Sequence, residues 1–171
     1  MALRPYTLDD VPEVTAACQD PEIARWTATI PWPYREDHAR TWISSHGLLW
    51  ENGEAAEFAI TAAQDGQLLG SVGLRLDWED KTAVAGYWVA ARARNRGVAT
   101  RALRLATTWA FETLGLSAVE LVTMIGNVAS ERVAERVGFE VVGEEPDFVH
   151  PDALQQRYRV KRWVLRRSGD R

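Results

Sequence analysis

Strand-like runs of apolar residues recur along this chain, separated by stretches in which the apolar positions fall at helical spacing. Leu3–Thr7, Glu57–Ala63, Gln67–Asp77, Ala83–Val89, Ala118–Met124, Phe139–Val142 and Arg157–Leu165 predict strands. Gln64-Asp65-Gly66 is a compact turn signal, so the second and third runs should pair antiparallel. Asp9-Asp10-Val11-Pro12 predicts a capped helix reaching about Asp20, with Val11, Val14, Thr15 and Cys18 on one face. A second helix starts at Arg35 and runs to about Trp50, burying Ala39, Trp42, Ile43 and Leu49. A third places Ala99, Ala102, Leu103, Ala106, Trp109, Ala110 and Leu114 on one stripe, leaves Arg101, Arg104 and Glu112 off it, and stops at Gly115. Asn127 caps a fourth, which ends at Gly138.

Two stretches do not fit either period. Pro21, Pro31 and Pro33 break helices across Pro21–Tyr34, which predicts an irregular loop. Ile23, Trp26, Ile30, Trp32 and Tyr34 nevertheless make that loop strongly apolar, so it should cover something. Gly143–Asp152 reads as turn-rich.

Length and composition narrow the class. A chain of 171 residues with 46% apolar and 26% charged residues predicts one ordinary globular domain. With 20 Lys and Arg against 24 Asp and Glu, the net charge of −4 disfavours a sequence-independent grip on nucleic acid. The basic residues Arg157, Arg159, Lys161, Arg162, Arg166 and Arg167 then read as a solvated face of the last strand. Cys18 is the single cysteine, so no intrachain disulfide or cysteine metal site can form, and it reads as a small core residue. His38 and His46 lack metal-ligand spacing and read as solvated, so no metal is expected. The opening Met-Ala-Leu-Arg-Pro has no apolar h-region and no run approaches membrane-spanning length, which predicts a cytoplasmic protein with no membrane partner.

The chemistry concentrates at the turn before the third helix. The first N–H groups of a helix have no intrahelical partner and lie at the positive end of its dipole, so they can hold a phosphate. Gly97 leaves room for that approach, Arg94 and Arg96 add charge, and Thr100 adds a hydroxyl. The stretch has neither the lysine-containing phosphate loop nor the three glycines of the dinucleotide fingerprint. Taken alone, it is equally a basic loop capping a surface helix. Its pattern, Arg94-x-x-Gly97-x-Ala99, resembles the Gln/Arg-x-x-Gly-x-Gly/Ala motif of the GNAT superfamily of acyl-CoA-dependent N-acyltransferases.

A second stretch strengthens the resemblance. Asn127-x-x-Ser130, a short helix closed by Gly138-Phe139, and then Gly143 are similar to the second acetyl-CoA motif of that superfamily. Leu3-Arg4-Pro5, Pro21-Glu22-Ile23, Trp26, Pro33-Tyr34, Gly70-x-x-Gly73-Leu74 and Gly86-Tyr87-Trp88-Val89 look like the branch that acetylates ribosomal-protein N-termini. The resemblance implies an α+β fold: a mixed, mostly antiparallel sheet of six to seven strands with two splayed central parallel strands, flanked by about four helices. Ala83–Val89 and Ala118–Met124 would be the splayed pair. Strand, anion-binding turn, helix and strand form one crossover unit, and such units place ligands at the carboxyl ends of strands.

The same resemblance implies acetyl-CoA as acyl donor and a primary amine as acceptor, a small molecule or a protein N-terminus. Backbone N–H groups of Arg96, Gly97, Ala99 and Thr100, with Val98 between them, would take the pyrophosphate, with Arg94 as the charged side chain. Backbone at Val89 would pair with the pantetheine amides. Asn127 could bond the pantetheine arm and Ser130 could protonate the departing sulfur, although helix capping accounts for the same pair. Relatives often place a tyrosine acid where this chain has Ala134, and a glutamate base where it has Val84. Glu57, Asp77 and Glu79 remain as carboxylates near strand ends; Glu57 is the candidate base, against a plain reading of all three as solvated charges or a water relay. Trp26, Trp32, Tyr34 and Trp88 would wall the acceptor cleft or simply pack. A catalytically silent acyl-CoA sensor is the competing function, and a homodimer is compatible with the sequence.

Overall fold

The computed structural model describes residues 1–149 and 157–169. Among the described residues seven strands, β1 (Ala2–Pro5), β2 (Ala55–Thr61), β3 (Leu68–Asp77), β4 (Thr82–Val89), β5 (Ala118–Met124), β6 (Glu140–Val149) and β7 (Arg157–Arg166), form one sheet in the order β1-β2-β3-β4-β5-β7-β6. Its helices are α1 (Val11–Ala17), α2 (Pro21–Trp26), α3 (Glu36–Glu51), α4 (Val98–Glu112) and α5 (Val128–Val137). Every neighbouring pair is antiparallel except β4 and β5. This is the mixed, mostly antiparallel α+β architecture that the family resemblance implies.

The parallel seam is short. It runs from Thr82 opposite Ala118 to Ala85 opposite Leu121. Beyond it β4 continues through Gly86–Val89 along β3, and β5 through Val122–Met124 along β7. Each strand thus stays paired on its outer side while the inner sides part, and the sheet opens at its centre.

The two faces carry separate cores. α4 and α5 cover one, where Ala102, Leu103, Ala106, Ala110 and Ala134 pack on Ile60, Val72, Leu74, Ala85 and Leu121. The alanine stripe of α4 lets its backbone lie close to the sheet, and Leu103, fully buried, contributes about 2 kcal/mol by area. On the other face, Val11, Val14, Cys18, Ile23, Tyr34, Ala39 and Ile43 cover Ala59, Leu68 and Trp88. Cys18 is a core residue there, as expected, and burial pushes its thiol up to about 12.

Four expectations are corrected. Pro21 does not break a helix: it begins α2, where its missing N–H costs nothing, and Asp20 Oδ1 caps the helix by accepting from Glu22 N–H at 3.0 Å. The loop between that helix and α3 is correspondingly shorter. Gly143–Asp152 is not turn-rich through 149, because β6 continues to Val149 with two register shifts against β7; residues 150–152 lie outside the described residues. His46 is not solvated: it packs edge-on to Trp42 at 4.4 Å and against Tyr6, and burial lowers its pKa to about 4. Finally, Lys161 pairs with Glu131 at 2.7 Å, and Arg162 with Glu120 at 3.0 Å and Glu145 at 3.4 Å. Those two cations of β7 are therefore matched by acids rather than left as a basic face.

Candidate active site

The turn into α4 is built for close approach. Asn95 and Gly97 both adopt positive φ, 59° and 70°, and Gly97 is the cap of the helix. The first helical bond runs from Arg101 N–H to the Gly97 carbonyl at 3.1 Å, so the amides of Val98, Ala99 and Thr100 come before any intrahelical acceptor. Val98 and Thr100 bury their side chains, which leaves backbone as what they offer outward. Arg96 is exposed. A Cβ added to Gly97 would lie 3.0 Å from Arg101 Nη1, so the guanidinium of Arg101 stands over the turn. That cation went unread in the sequence, though its four-residue spacing from Gly97 puts it one helical turn above the same spot.

Arg94 does not project toward an anion in this structure. Its Nε donates to the Val89 carbonyl at 3.2 Å and its Nη2 pairs with Asp20 at 2.7 Å. Since Asp20 also caps α2, Arg94 ties the turn to the start of that helix. The pull of a partly buried carboxylate on a guanidinium accounts for this inward orientation.

Across the opening, two hydroxyls meet. Asn127 Oδ1 caps α5 by accepting from Ser130 N–H at 3.2 Å. Ser130 Oγ lies 2.7 Å from the phenol oxygen of Tyr87. Tyr87 stands on β4 past the end of the parallel seam and Ser130 in the first turn of α5, which follows β5, so this bond joins β4 to α5 across the opening. Burial raises the Tyr87 pKa to about 12, with the Ser130 bond pulling the other way. Ala134 is wholly buried in the core, so a tyrosine there would not fit without displacing neighbours. Sequence reasoning missed Tyr87; strand alternation, which puts it on the same face as Ala85, was the available signal.

The other face carries a carboxyl. Glu57 on β2 sits opposite Gly73 on β3, which sits opposite Gly86 on β4. A Cβ on Gly73 would fall 2.2 Å from both Glu57 carboxyl oxygens, so the acid lies across β3 in space that only glycine leaves free. Gly86 has nothing within 4 Å of its own Cβ position. The carboxyl thus fills the space that Gly73 leaves, and the next position across, Gly86, the first residue of β4 beyond the seam, is also bare of side chain. Burial raises its pKa from 4.5 to about 7, opposed by Arg75. The reading of Glu57 as a solvated charge is thus corrected, whereas Asp77 and Glu79 are exposed, with Asp77 Oδ1 accepting two turn amides.

The four aromatic candidates divide. Tyr34 and Trp88 lie in the core cluster beneath α1 and α3. Trp26 is half-buried and donates from Nε1 to Glu22 at 3.1 Å. Trp32 is 53% exposed and projects a large apolar surface. Among the described residues no helix is long and apolar enough to cross a membrane, and no three His, Cys, Asp or Glu side chains gather as a metal site.

A mixed sheet opened at a central parallel seam, with a helix N-terminus feeding into the opening, defines the acetyltransferase class of this fold. The sequence model for the acetyltransferase (GNAT) domain matches residues 1–140, and the chain belongs to that family. It is similar to a Bacillus subtilis (strain 168) protein provisionally named ribosomal N-acetyltransferase YdaF, 36% identical over 53% of this chain and 50% of that one. It is also 32% identical to the probable N-acetyltransferase YjcK of the same organism, over 64% of this chain and 62% of that one. The matched stretches thus span half to under two thirds of these relatives. The fold is shared with spermidine N-acetyltransferase from Vibrio cholerae, solved with CoA and spermine: TM-score 0.81, 19% identity, 98% of this chain and 95% of that one.

Proposed function

We propose that the protein is an acetyl-CoA-dependent N-acetyltransferase that transfers an acetyl group to a primary amine, a small molecule or a protein N-terminus, by direct attack on the thioester. The observation that carries this reading is the distribution of chemistry around the opening in the sheet. A hydroxyl pair lies on one face of it and a carboxyl with raised pKa reaches toward it from the other. The spermidine acetyltransferase of the same fold was solved with CoA, which supports the donor.

The residues present fit that donor. The amides of Val98, Ala99 and Thr100, with Gly97 clear of side chain, would hold the pyrophosphate, and Arg101 and Arg96 would supply its countercharge. Bound acetyl-CoA supplies the acyl group as a thioester. Glu57, with a pKa near neutrality, would take one proton from the acceptor's ammonium group, directly or through one water, leaving the neutral amine whose lone pair attacks the thioester carbon. Ser130 would donate a hydrogen bond to the sulfur as it leaves with the electron pair of the C–S bond, and the second proton of the acylated nitrogen would reach that thiolate by way of Ser130 or water, giving the neutral amide and free thiol. Trp32 offers an apolar wall to the acceptor.

Release of free thiol from acetyl-CoA in the presence of a panel of polyamines, amino sugars, aminoacyl compounds and N-terminal peptides tests the proposal. Amine-dependent release with a mass gain of one acetyl group on the amine is expected. Tight acetyl-CoA binding without release across the whole panel would replace it with the silent sensor.

A further inference from the structure

The bond between Tyr87 and Ser130 is unusual in where it falls. Tyr87 sits on β4 past the paired part of the seam, Ser130 on α5 beyond the end of β5, and their oxygens are 2.7 Å apart. Ser130 is held from two directions: Asn127 Oδ1 fixes its amide at 3.2 Å and Tyr87 reaches its hydroxyl. A serine hydroxyl has one proton and two lone pairs, and left alone it rotates among several orientations. With its amide fixed, the direction of its proton depends on which partner donates to its oxygen.

We infer that Tyr87 is a positioning residue for the transfer reaction: its phenol donates to Ser130 Oγ, which leaves the serine proton free to point into the opening at the sulfur of the thioester. This inference rests on the acetyltransferase reading. The Tyr87 phenol, whose pKa burial raises to about 12, carries its proton through the neutral range and has it available to donate. Tyr87 gives up no proton in the step. It orients one hydrogen bond, from Ser130 O–H to the sulfur that takes the electron pair of the breaking C–S bond.

The test is a double-mutant cycle of Tyr87→Phe, Ser130→Ala and the pair, read as kcat, both KM values, acetyl-CoA affinity by calorimetry, and Tm. Tyr87→Phe should lower kcat about tenfold, the worth of one oriented hydrogen bond, with both KM values and the calorimetric affinity unchanged. Ser130→Ala should lower kcat at least as much, and the double variant should be no slower than Ser130→Ala, because Tyr87 has nothing left to orient. Losses that multiply, or a kcat for Tyr87→Phe equal to wild type, overturn the inference while leaving the acetyltransferase intact. A wild-type chain that turns over no amine overturns both. Should Tyr87→Phe not fold, 3-fluorotyrosine at position 87 keeps the shape and strengthens the donor; kcat should then shift with KM constant, and an unshifted kcat overturns the inference.

Discussion

Replacing Glu57 by Gln should make the protein more stable and far less active, and the two effects should depend on pH in linked ways. The carboxyl is held half-buried over Gly73, and its pKa rises from 4.5 to about 7 through loss of solvent, even with Arg75 opposing. A carboxyl whose pKa is higher folded than unfolded binds its proton more tightly in the fold, so ionising it costs stability. That cost is absent below about pH 4.5, grows between the two values, and is complete above about pH 7. At about 1.4 kcal/mol per pKa unit, the full penalty is about 3 kcal/mol. Glutamine keeps the shape without the charge. Urea unfolding should therefore show Glu57→Gln more stable by up to about 3 kcal/mol near pH 8, with the difference vanishing toward pH 4. Over the same range, wild-type kcat/KM should fall as pH drops through about 7, and the variant should lose that limb together with about 10²- to 10⁴-fold of activity. A stability difference that stays constant with pH, or a retained acid limb, refutes the assignment of a neutral-range pKa to Glu57.

Gly73→Ala places a Cβ 2.2 Å from the same carboxyl oxygens, so it should displace Glu57 and reduce kcat/KM much as Glu57→Gln does. Because the atoms that must yield are the end of a flexible side chain, the stability loss should stay within about 1 kcal/mol, and unchanged kinetics would remove Glu57 from the mechanism. Gly97→Val forces a β-branched residue to φ 70° and should weaken acetyl-CoA binding more than about tenfold at a cost of about 1 to 3 kcal/mol; calorimetry on a folded variant showing native affinity would dismiss the turn as the pyrophosphate site. Trp32→Ala should raise the amine KM while leaving acetyl-CoA affinity and Tm near wild type, since the side chain is 53% exposed. A loss on the core scale of about 3 to 5 kcal/mol, or an unmoved amine KM, would make Trp32 a packing residue.

What the sequence disclosed, and what it hid, follows from the range of the interactions involved. Periodicity located β2 through β5 and the helices α3 and α4, and a cap with a glycine stop located α5, because each of those signals lies within the element it marks. The capping role of Asn127 and the left-handed Gly97 are local, and they were readable from a few residues. The Arg94 and Asp20 pair, the Tyr87 and Ser130 bond and the bed of Glu57 over Gly73 are not local: each joins residues far apart in the chain through sheet order and register. Glu57 looked like a surface charge because its neighbours in sequence are ordinary, and only the glycine on the next strand makes room for it. Pro21 misled for a different reason: the same residue stops a helix from inside and starts one at its first position, and Asp20 decides which.

The gap at the centre of the sheet has a consequence for how this molecule meets its own kind. Backbone donors and acceptors left unpaired on a strand invite the strand of another chain, and in most sheets that danger lies at the outer edge. Here the inner sides of β4 beyond Ala85 and β5 beyond Leu121 are unpaired in the middle, with β3 and β7 already filling their outer sides and α4 and α5 packed across one face. A second protein would have to insert a strand lengthwise between two diverging banks. A narrow ligand arm carrying amides has no such difficulty, so the architecture admits small extended molecules where it resists cross-chain aggregation.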